Sequence, residues 1–443
     1  MKRYHLITFG CQMNYADSER IITILENAGY QSTPLLDQAE LIIVNMCSVR
    51  QKAVDRIYGL IPKIRQQKAE NSHLRTILTG CISNKDQEKL KEEFDFILEK
   101  ENLLSWPKLL GFPEQKNKLH HYLEVPPVYQ SPFSAFVPIM TGCNNFCTFC
   151  IVPYTRGREY SRPVEKILLE INNLVQKNYK EIWLLGQNVN SFSGKTASGD
   201  VLNFSQLLIL INKIPGDFWL FFTSSHPKDF SDELIETMAR LSKIAPYLNL
   251  PVQSGNNRVL AAMNRSYSIE QYNEIVKKIR KSFWEKRKGL EGRISLSTDA
   301  IVGFPQETKD EFNDTVAVFE QIKYDSAHIA KFSPRPQTAA AQMTDNISHR
   351  EKVKRKEKLN SVLAKTALEN NRHYLSKIIP VLIEEVNRKH QFMLGRSRSY
   401  KVVKIESFNP SLLGKIILTK ITNVTPWRLE AKEKSPSEIK SKR

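Results

Sequence analysis

No stretch of this 443-residue chain comes near the roughly 20 consecutive apolar residues that a membrane span requires. Its first residues, MKRYHLITFGCQMN, also lack the apolar segment of a secretory signal, so a cytoplasmic protein that is not bound to membrane is expected. Glycine is scarce at 17 residues, which excludes a collagen-like repeat. A content of 41% hydrophobic and 25% charged residues excludes broad disorder. Cysteine is scarcer still. Without an export signal, the six cysteines read as metal ligands or redox groups, not as disulfides.

Negative charge is also in short supply. Against 65 Lys and Arg stand 47 Asp and Glu, a net charge of +18. Residues 350–443 hold 23 basic and 9 acidic side chains, so most of the excess lies at the C-terminal end. A concentrated positive end suits a phosphate backbone or, less specifically, an anionic membrane surface.

The length fits two or three domains. In the first hundred residues, short apolar runs (HLITF, LIIVNM, RTILT) alternate with helical stretches, the rhythm of a parallel sheet with crossover helices. Each run leads into a cysteine: Cys11, Cys47 and Cys81. Ligands bind at the carboxyl edge of such sheets, so three strand-end cysteines are expected to converge on one site. One alone would read as an ordinary buried residue. From about Glu101 to Pro132 the pattern breaks into a proline-bearing linker. Six further strands then follow (AFVPIMT, EIWLLG, FWLFFTS, YLNLPV, RISLSTDAIVGF, AHIAKFS), each running into a polar or glycine-bearing loop, which predicts a partial (β/α)6 barrel. A basic helical segment leads to four or five short β-rich runs, expected to form a small antiparallel barrel, and KEKSPSEIKSKR reads as a disordered basic tail.

Cys143, Cys147 and Cys150 form C-x3-C-x2-C, too compact for paired zinc knuckles and one thiolate short of a closed site. A 4Fe-4S cluster takes one ligand per iron, so three thiolates leave one iron open to a small chelating molecule. With this motif following the first strand of a partial barrel, the chain resembles the radical S-adenosylmethionine superfamily. FGCQMNYADSER, NMCSVR, LTGC, CTFCIVPYTRGRE, LLGQNVNSF, LPVQSGNNRVLAAMNR, STDAIVGFPQET and FSPRPQT together resemble its methylthiotransferase family, over residues 3–430. The likeness is greatest to members that act on dimethylallyladenosine in tRNA.

The resemblance implies an α/β architecture with a methylthiotransferase N-terminal domain at 1–118, a radical core at 130–368, a tRNA-binding barrel of the TRAM type at 371–433 and a basic tail at 434–443. It implies that Cys143, Cys147 and Cys150 bind a radical-generating 4Fe-4S cluster, and that Cys11, Cys47 and Cys81 bind a second one carrying the sulfur to be inserted. It further implies two S-adenosylmethionine molecules, one as methyl donor and one as radical source. Carbon 2 of adenine, next to the anticodon, would receive the methylthio group. No side-chain base can activate that carbon, so a cofactor must do so. The implied partners are the tRNA anticodon arm, a flavodoxin-type electron donor and a sulfur donor, with the protein itself a monomer.

Gly186, Gln187 and Asn188, and Ser254, Asn256 and Arg258 in QSGNNR, are candidate S-adenosylmethionine contacts; ordinary loop capping is the competing reading. Gly303 and Pro305 are expected to shape a turn near the ligand. Arg156 and Arg158 are candidate phosphate or tRNA contacts, with a solvated loop as the competing reading, and His226, beside Pro227, reads as structural. The chain departs from the usual family pattern at Met46 and Gln337 and after Cys81, but at no cluster cysteine. Competing functions are a methylthiotransferase for threonylcarbamoyladenosine or for a ribosomal-protein aspartate, and a noncatalytic RNA-binding protein stapled by metal clusters.

Overall fold

A computed structural model describes residues 2–49, 51–112 and 119–433; the expected basic tail at 434–443 lies outside the described residues. The N-terminal sheet is wholly parallel, in the order Gln31–Ser32, Arg3–Thr8, Leu41–Cys47, Arg75–Cys81, Phe96–Ile97. Its two edge strands are only two residues long, too short for any periodicity to mark them in the sequence. Leu41–Val44 is buried throughout because helices or neighbouring layers cover both faces. Alternate residues therefore serve different cores: Leu41 and Ile43 pack with helix Gln12–Asn27, whereas Ile42 and Val44 pack with helix Gln51–Glu70.

The central domain contains the six expected strands: Ser134–Pro138, Glu181–Leu185, Trp219–Phe222, Tyr247–Asn249, Ser295–Val302 and Ser326–Lys331. They form two parallel three-stranded sheets. A parallel bridge between Leu220 and Ile244 joins the sheets edge to edge, giving an open, six-stranded partial barrel. Helices on its outside begin at reciprocal caps, Asn203 with Gln206, Ser268 with Gln271 and Thr308 with Glu311, which satisfy the free N–H groups of the first turn.

Helix His349–Arg372 leads to the C-terminal closed barrel of Ile378–Asn387, Phe392–Ser397, Val402–Ile405, Ile416–Val424 and Leu429–Glu433. One of its pairings, between Val402–Ile405 and Leu429–Glu433, is parallel, so the barrel is not purely antiparallel. Together with the antiparallel pairing of Ile378–Asn387 and Ile416–Val424, it closes the ring.

Much of the positive charge here is turned inward. Arg355 is buried and pairs with Glu307 at 2.6 Å, Lys401 pairs with Asp325 at 2.5 Å, and Arg398 pairs with Glu291 at 3.2 Å. The cations left on the surface of the barrel include Lys377, Arg388, Lys389, Lys415, Lys420 and Lys432. Replacing Arg355 with alanine would strand the buried Glu307 and cost about 3–5 kcal/mol, seen as a lower midpoint in thermal or denaturant unfolding. An unchanged midpoint would show that the pair is dispensable.

Candidate functional site: two cysteine triads on one cavity

The two triads are built by different local devices. Cys47 and Cys81 end neighbouring parallel strands and are direct cross-strand partners. Gly80, just before Cys81, takes φ +110° and lies so close to Met46 that a Cβ would stand 2.2 Å from its carbonyl oxygen. Cys11 caps helix Gln12–Asn27, and its N–H donates to Asn14 Oδ1 at 3.2 Å. Buried Asn14 in turn donates to Asn45 Oδ1 at 3.1 Å and to the Met46 carbonyl at 3.0 Å. Asn14 thus ties the Cys11 loop to the strand that ends in Cys47.

The second triad sits on the loop after the first barrel strand. Gly142 takes φ +79° because the Arg158 carbonyl lies 1.9 Å from where a Cβ would be. The loop is strapped from outside: Thr148 N–H donates to the Met263 carbonyl at 3.1 Å, Asn264 Nδ2 to the Phe146 carbonyl at 3.1 Å, and Arg265 to Cys147 Sγ at 3.4 Å. Asn264 and Arg265 close the LPVQSGNNRVLAAMNR motif, yet their role as cysteine-loop supports was not legible in the sequence.

A cavity of about 660 Å3 is lined by Cys11, Cys47, Cys81, Cys143 and Cys150, together with Gly186 and Gln187. Cys147 is half-buried beside Arg265. Burial pushes the Cys150 thiol up to about 12 and raises Cys143. Burial also raises Cys81, although Arg156 and Lys100 oppose it. These thiols therefore stay protonated unless a metal supplies the positive charge that favours thiolate. Among the described residues, no three His, Cys, Asp or Glu side chains are arranged for a single metal ion. A cluster differs in seating each thiolate on its own iron. The donor chemistry suits a cluster at each triad. In the wall, Gln187 Oε1 and Arg156 Nη1 have no protein partner, which leaves an acceptor and a donor for a bound molecule.

Arg156 joins the triads. Expected as a phosphate contact, it is buried instead: Nε donates to Cys81 Sγ at 2.9 Å and Nη2 to Asp17 at 2.7 Å. Arg158 is exposed, with its guanidinium 4.4 Å from the Phe146 ring centroid. Asn188 is buried and donates to Asp229 at 2.7 Å. Ser254, Asn256 and Arg258 do not line the cavity. Asn256 caps helix Asn257–Ala262 and donates to Asp314 at 2.7 Å, the Ser254 hydroxyl accepts from the Asn256 N–H at 3.3 Å, and Arg258 pairs with Glu311. Gly303 takes φ +68° in a turn with Pro305, away from the cavity lining. Buried His226 accepts from the Lys228 N–H, and burial lowers it to about 2, so it is neutral.

Residues 137–319 match the model of the radical SAM superfamily, and residues 3–98 match a family described as uncharacterized protein family UPF0004. Three relatives bear the description tRNA-2-methylthio-N(6)-dimethylallyladenosine synthase. The protein of Carboxydothermus hydrogenoformans is 40% identical over 97% of this chain and 98% of its own. That of Thermoanaerobacter sp. is 39% identical (96% and 92%), and that of Neisseria gonorrhoeae 35% identical (98% and 99%). The chain belongs to this synthase family. It is a radical S-adenosylmethionine tRNA methylthiotransferase, and membership sets aside the noncatalytic RNA-binding alternative. The family carries S-adenosylmethionine and a 4Fe-4S cluster. Among solved structures, the fold is shared with a radical S-adenosylmethionine methyltransferase, TsrM, from Kitasatospora setae (TM-score 0.52, 14% identity, 77% of this chain and 75% of that one). It is shared also with the cobalamin-dependent S-adenosylmethionine radical enzyme OxsB (TM-score 0.51, 15% identity, 82% and 56%). No helix among the described residues is long and apolar enough to cross a membrane.

Replacing Arg156 with alanine removes the cation paired with buried Asp17 and would cost about 3–5 kcal/mol. Reduced iron uptake by a variant that still carries Cys11, Cys47 and Cys81 is the expected readout. Full iron content with unchanged stability would disprove the linking role.

Proposed function

We propose that this protein replaces the hydrogen on carbon 2 of N(6)-dimethylallyladenosine, next to the tRNA anticodon, with a methylthio group, using two S-adenosylmethionine molecules and two 4Fe-4S clusters. The observation that carries the reading is the convergence of five of the six cysteines, drawn from two domains, on one cavity. Three thiols at each triad leave one coordination position open per cluster, which is what chelation of a cofactor and carriage of sulfur both need. When bound, the clusters supply an electron for cleavage of S-adenosylmethionine and a seat for the sulfur to be transferred.

The chain's own residues do the rest. Asp17 and Arg156 hold the triads in register, and the Arg156 N–H favours charge on Cys81 Sγ. Gln187 offers its free Oε1 to a polar ligand at the strand ends. Apolar side chains of Val152, Leu185 and Met13 in the lining would limit the water around the reacting groups. Surface cations of the C-terminal barrel, including Lys415 and Lys420, suit the phosphates of the anticodon stem. An external reductant and sulfur donor complete the scheme.

Nucleoside mass spectrometry of tRNA from cells with and without the gene tests the reaction: loss of the 2-methylthio-dimethylallyl nucleoside is expected, and unchanged tRNA would defeat the proposal. Anaerobic reconstitution should load about eight irons per chain, and about four after replacement of Cys143, Cys147 and Cys150 with alanine. Full iron in that variant would contradict the two-cluster assignment. The double variant K415E/K420E should weaken tRNA binding and flatten its salt dependence, whereas an unaltered slope would exclude this face from the RNA contact.

A further inference from the structure

Besides the cysteines, the same cavity is lined by a group of aromatic and a group of polar side chains. The aromatic group is Phe136, Trp183, Tyr247 and Tyr400, the last three in ring contact with one another; the polar group is Asn249, Asp299 and His328. Tyr400 belongs to the C-terminal barrel, in the turn between Phe392–Ser397 and Val402–Ile405, while the other residues belong to the central domain.

The placement of Tyr400 is over-determined. Its φ is +61°, a conformation disfavoured for a residue with a Cβ. The turn around it holds that geometry: Tyr400 N–H donates to the Ser397 carbonyl at 2.8 Å and Lys401 N–H to Ser397 Oγ at 3.1 Å. Flanking ion pairs of Arg398 with Glu291 and Lys401 with Asp325 clamp the turn to the central domain. The ring meets Tyr247 at 4.7 Å and Trp183 at 4.9 Å between centroids, and the Arg396 guanidinium lies 4.2 Å from its centroid. Tyr247, His328 and Tyr400 also line a second cavity of about 310 Å3 beside Trp427 and Arg428. Tyr400 is therefore a partition between two spaces as well as part of a packed core.

We propose that this part of the cavity lining is the slot for the branched N6 substituent of the target adenine, with Tyr400 as a specificity-determining residue supplied by the C-terminal barrel. The inference rests on the reaction proposed above and names the part of the site that reads the substrate. An N6-alkenyl adenine has an apolar branch and a hydrogen-bonding edge, and the slot has one wall for each. Asn249 donates to Asp299 at 3.2 Å, and Asp299 and His328 are cross-strand partners, so the polar wall is ordered before any ligand binds. A threonylcarbamoyl branch carries a carboxylate, which would be repelled by Asp299 and stripped of water against the aromatic wall.

Binding of synthetic anticodon stem-loops to the full-length, anaerobically reconstituted protein tests this. Three RNAs would be compared, identical except that the adenosine following the anticodon is unmodified, dimethylallylated or threonylcarbamoylated. Wild type is expected to prefer the dimethylallyl RNA over either other by at least about tenfold. Tyr400→Ala should reduce that ratio to about twofold or less, and Tyr400→Phe should keep it. If Tyr400→Ala loses iron or unfolds, Tyr247→Leu in the same wall decides, with the same collapse expected. A ratio that survives in a folded Tyr400→Ala or Tyr247→Leu variant, or no ratio in wild type, overturns the slot. Product analysis on the same wild-type preparation keeps the two readings apart. Absence of any methylthio nucleoside would overturn the proposed reaction, whereas product formed on all three RNAs alike would overturn the slot alone.

Discussion

The buried ion pair between Asp17 and Arg156 is the contact on which the rest of the arrangement depends. Asp17 lies one and a half turns into the helix that Cys11 caps, and Arg156 follows closely on the loop carrying Cys143, Cys147 and Cys150. Two ions withdrawn from water gain little net stability, because desolvation offsets much of their attraction. What they confer is register: either one alone in that setting is costly, so alternative dockings of the two domains are penalised. A second buried junction repeats the device. Glu170 accepts from Arg20, Arg162 and the Tyr129 hydroxyl. Burial alone would raise its carboxyl, but Arg162 and Arg20 hold it below the usual carboxylate value. The two junctions tie the helix after Cys11 to the first barrel unit, one at Arg156 and one at Glu170.

The positive charge of the C-terminal end serves two purposes that a residue count does not separate. Arg398 and Lys401 spend theirs on carboxylates of the central domain and so attach the barrel to it, while Arg355 fixes the helix that leads to the barrel. Lys415, Lys420 and their exposed neighbours remain on the surface. The attached face carries Tyr400 into the lining of the cysteine cavity. A domain whose composition suggests only a clamp contributes a side chain to the cavity on which the cysteines open.

How far this could be read from the sequence differs from residue to residue. Cys47 and Cys81 could be placed because a run of β-branched and aliphatic residues sets a strand, and parallel strands align their carboxyl ends. The six barrel strands were equally plain, since each apolar run stops at a polar loop. By contrast, QSGNNR looked like a ligand loop, yet Asn256 is occupied as a helix cap and Arg258 as a partner of Glu311. Capping and ligand binding call on the same small polar residues, so spacing alone does not separate them.

What the sequence by itself determined was the chemistry available: six thiols in two groups of three, strands that deliver them to sheet edges, and a basic end. What only the tertiary structure decided was which distant groups face one another. Arg156 against Cys81, Arg265 against Cys147 and Tyr400 against Trp183 are separated by 75, 118 and more than 200 residues. Hydrophobic period and local propensity act over a few residues, whereas these contacts are set by the packing of whole domains, where burial makes each unpaired charge costly and leaves few arrangements in which all are satisfied.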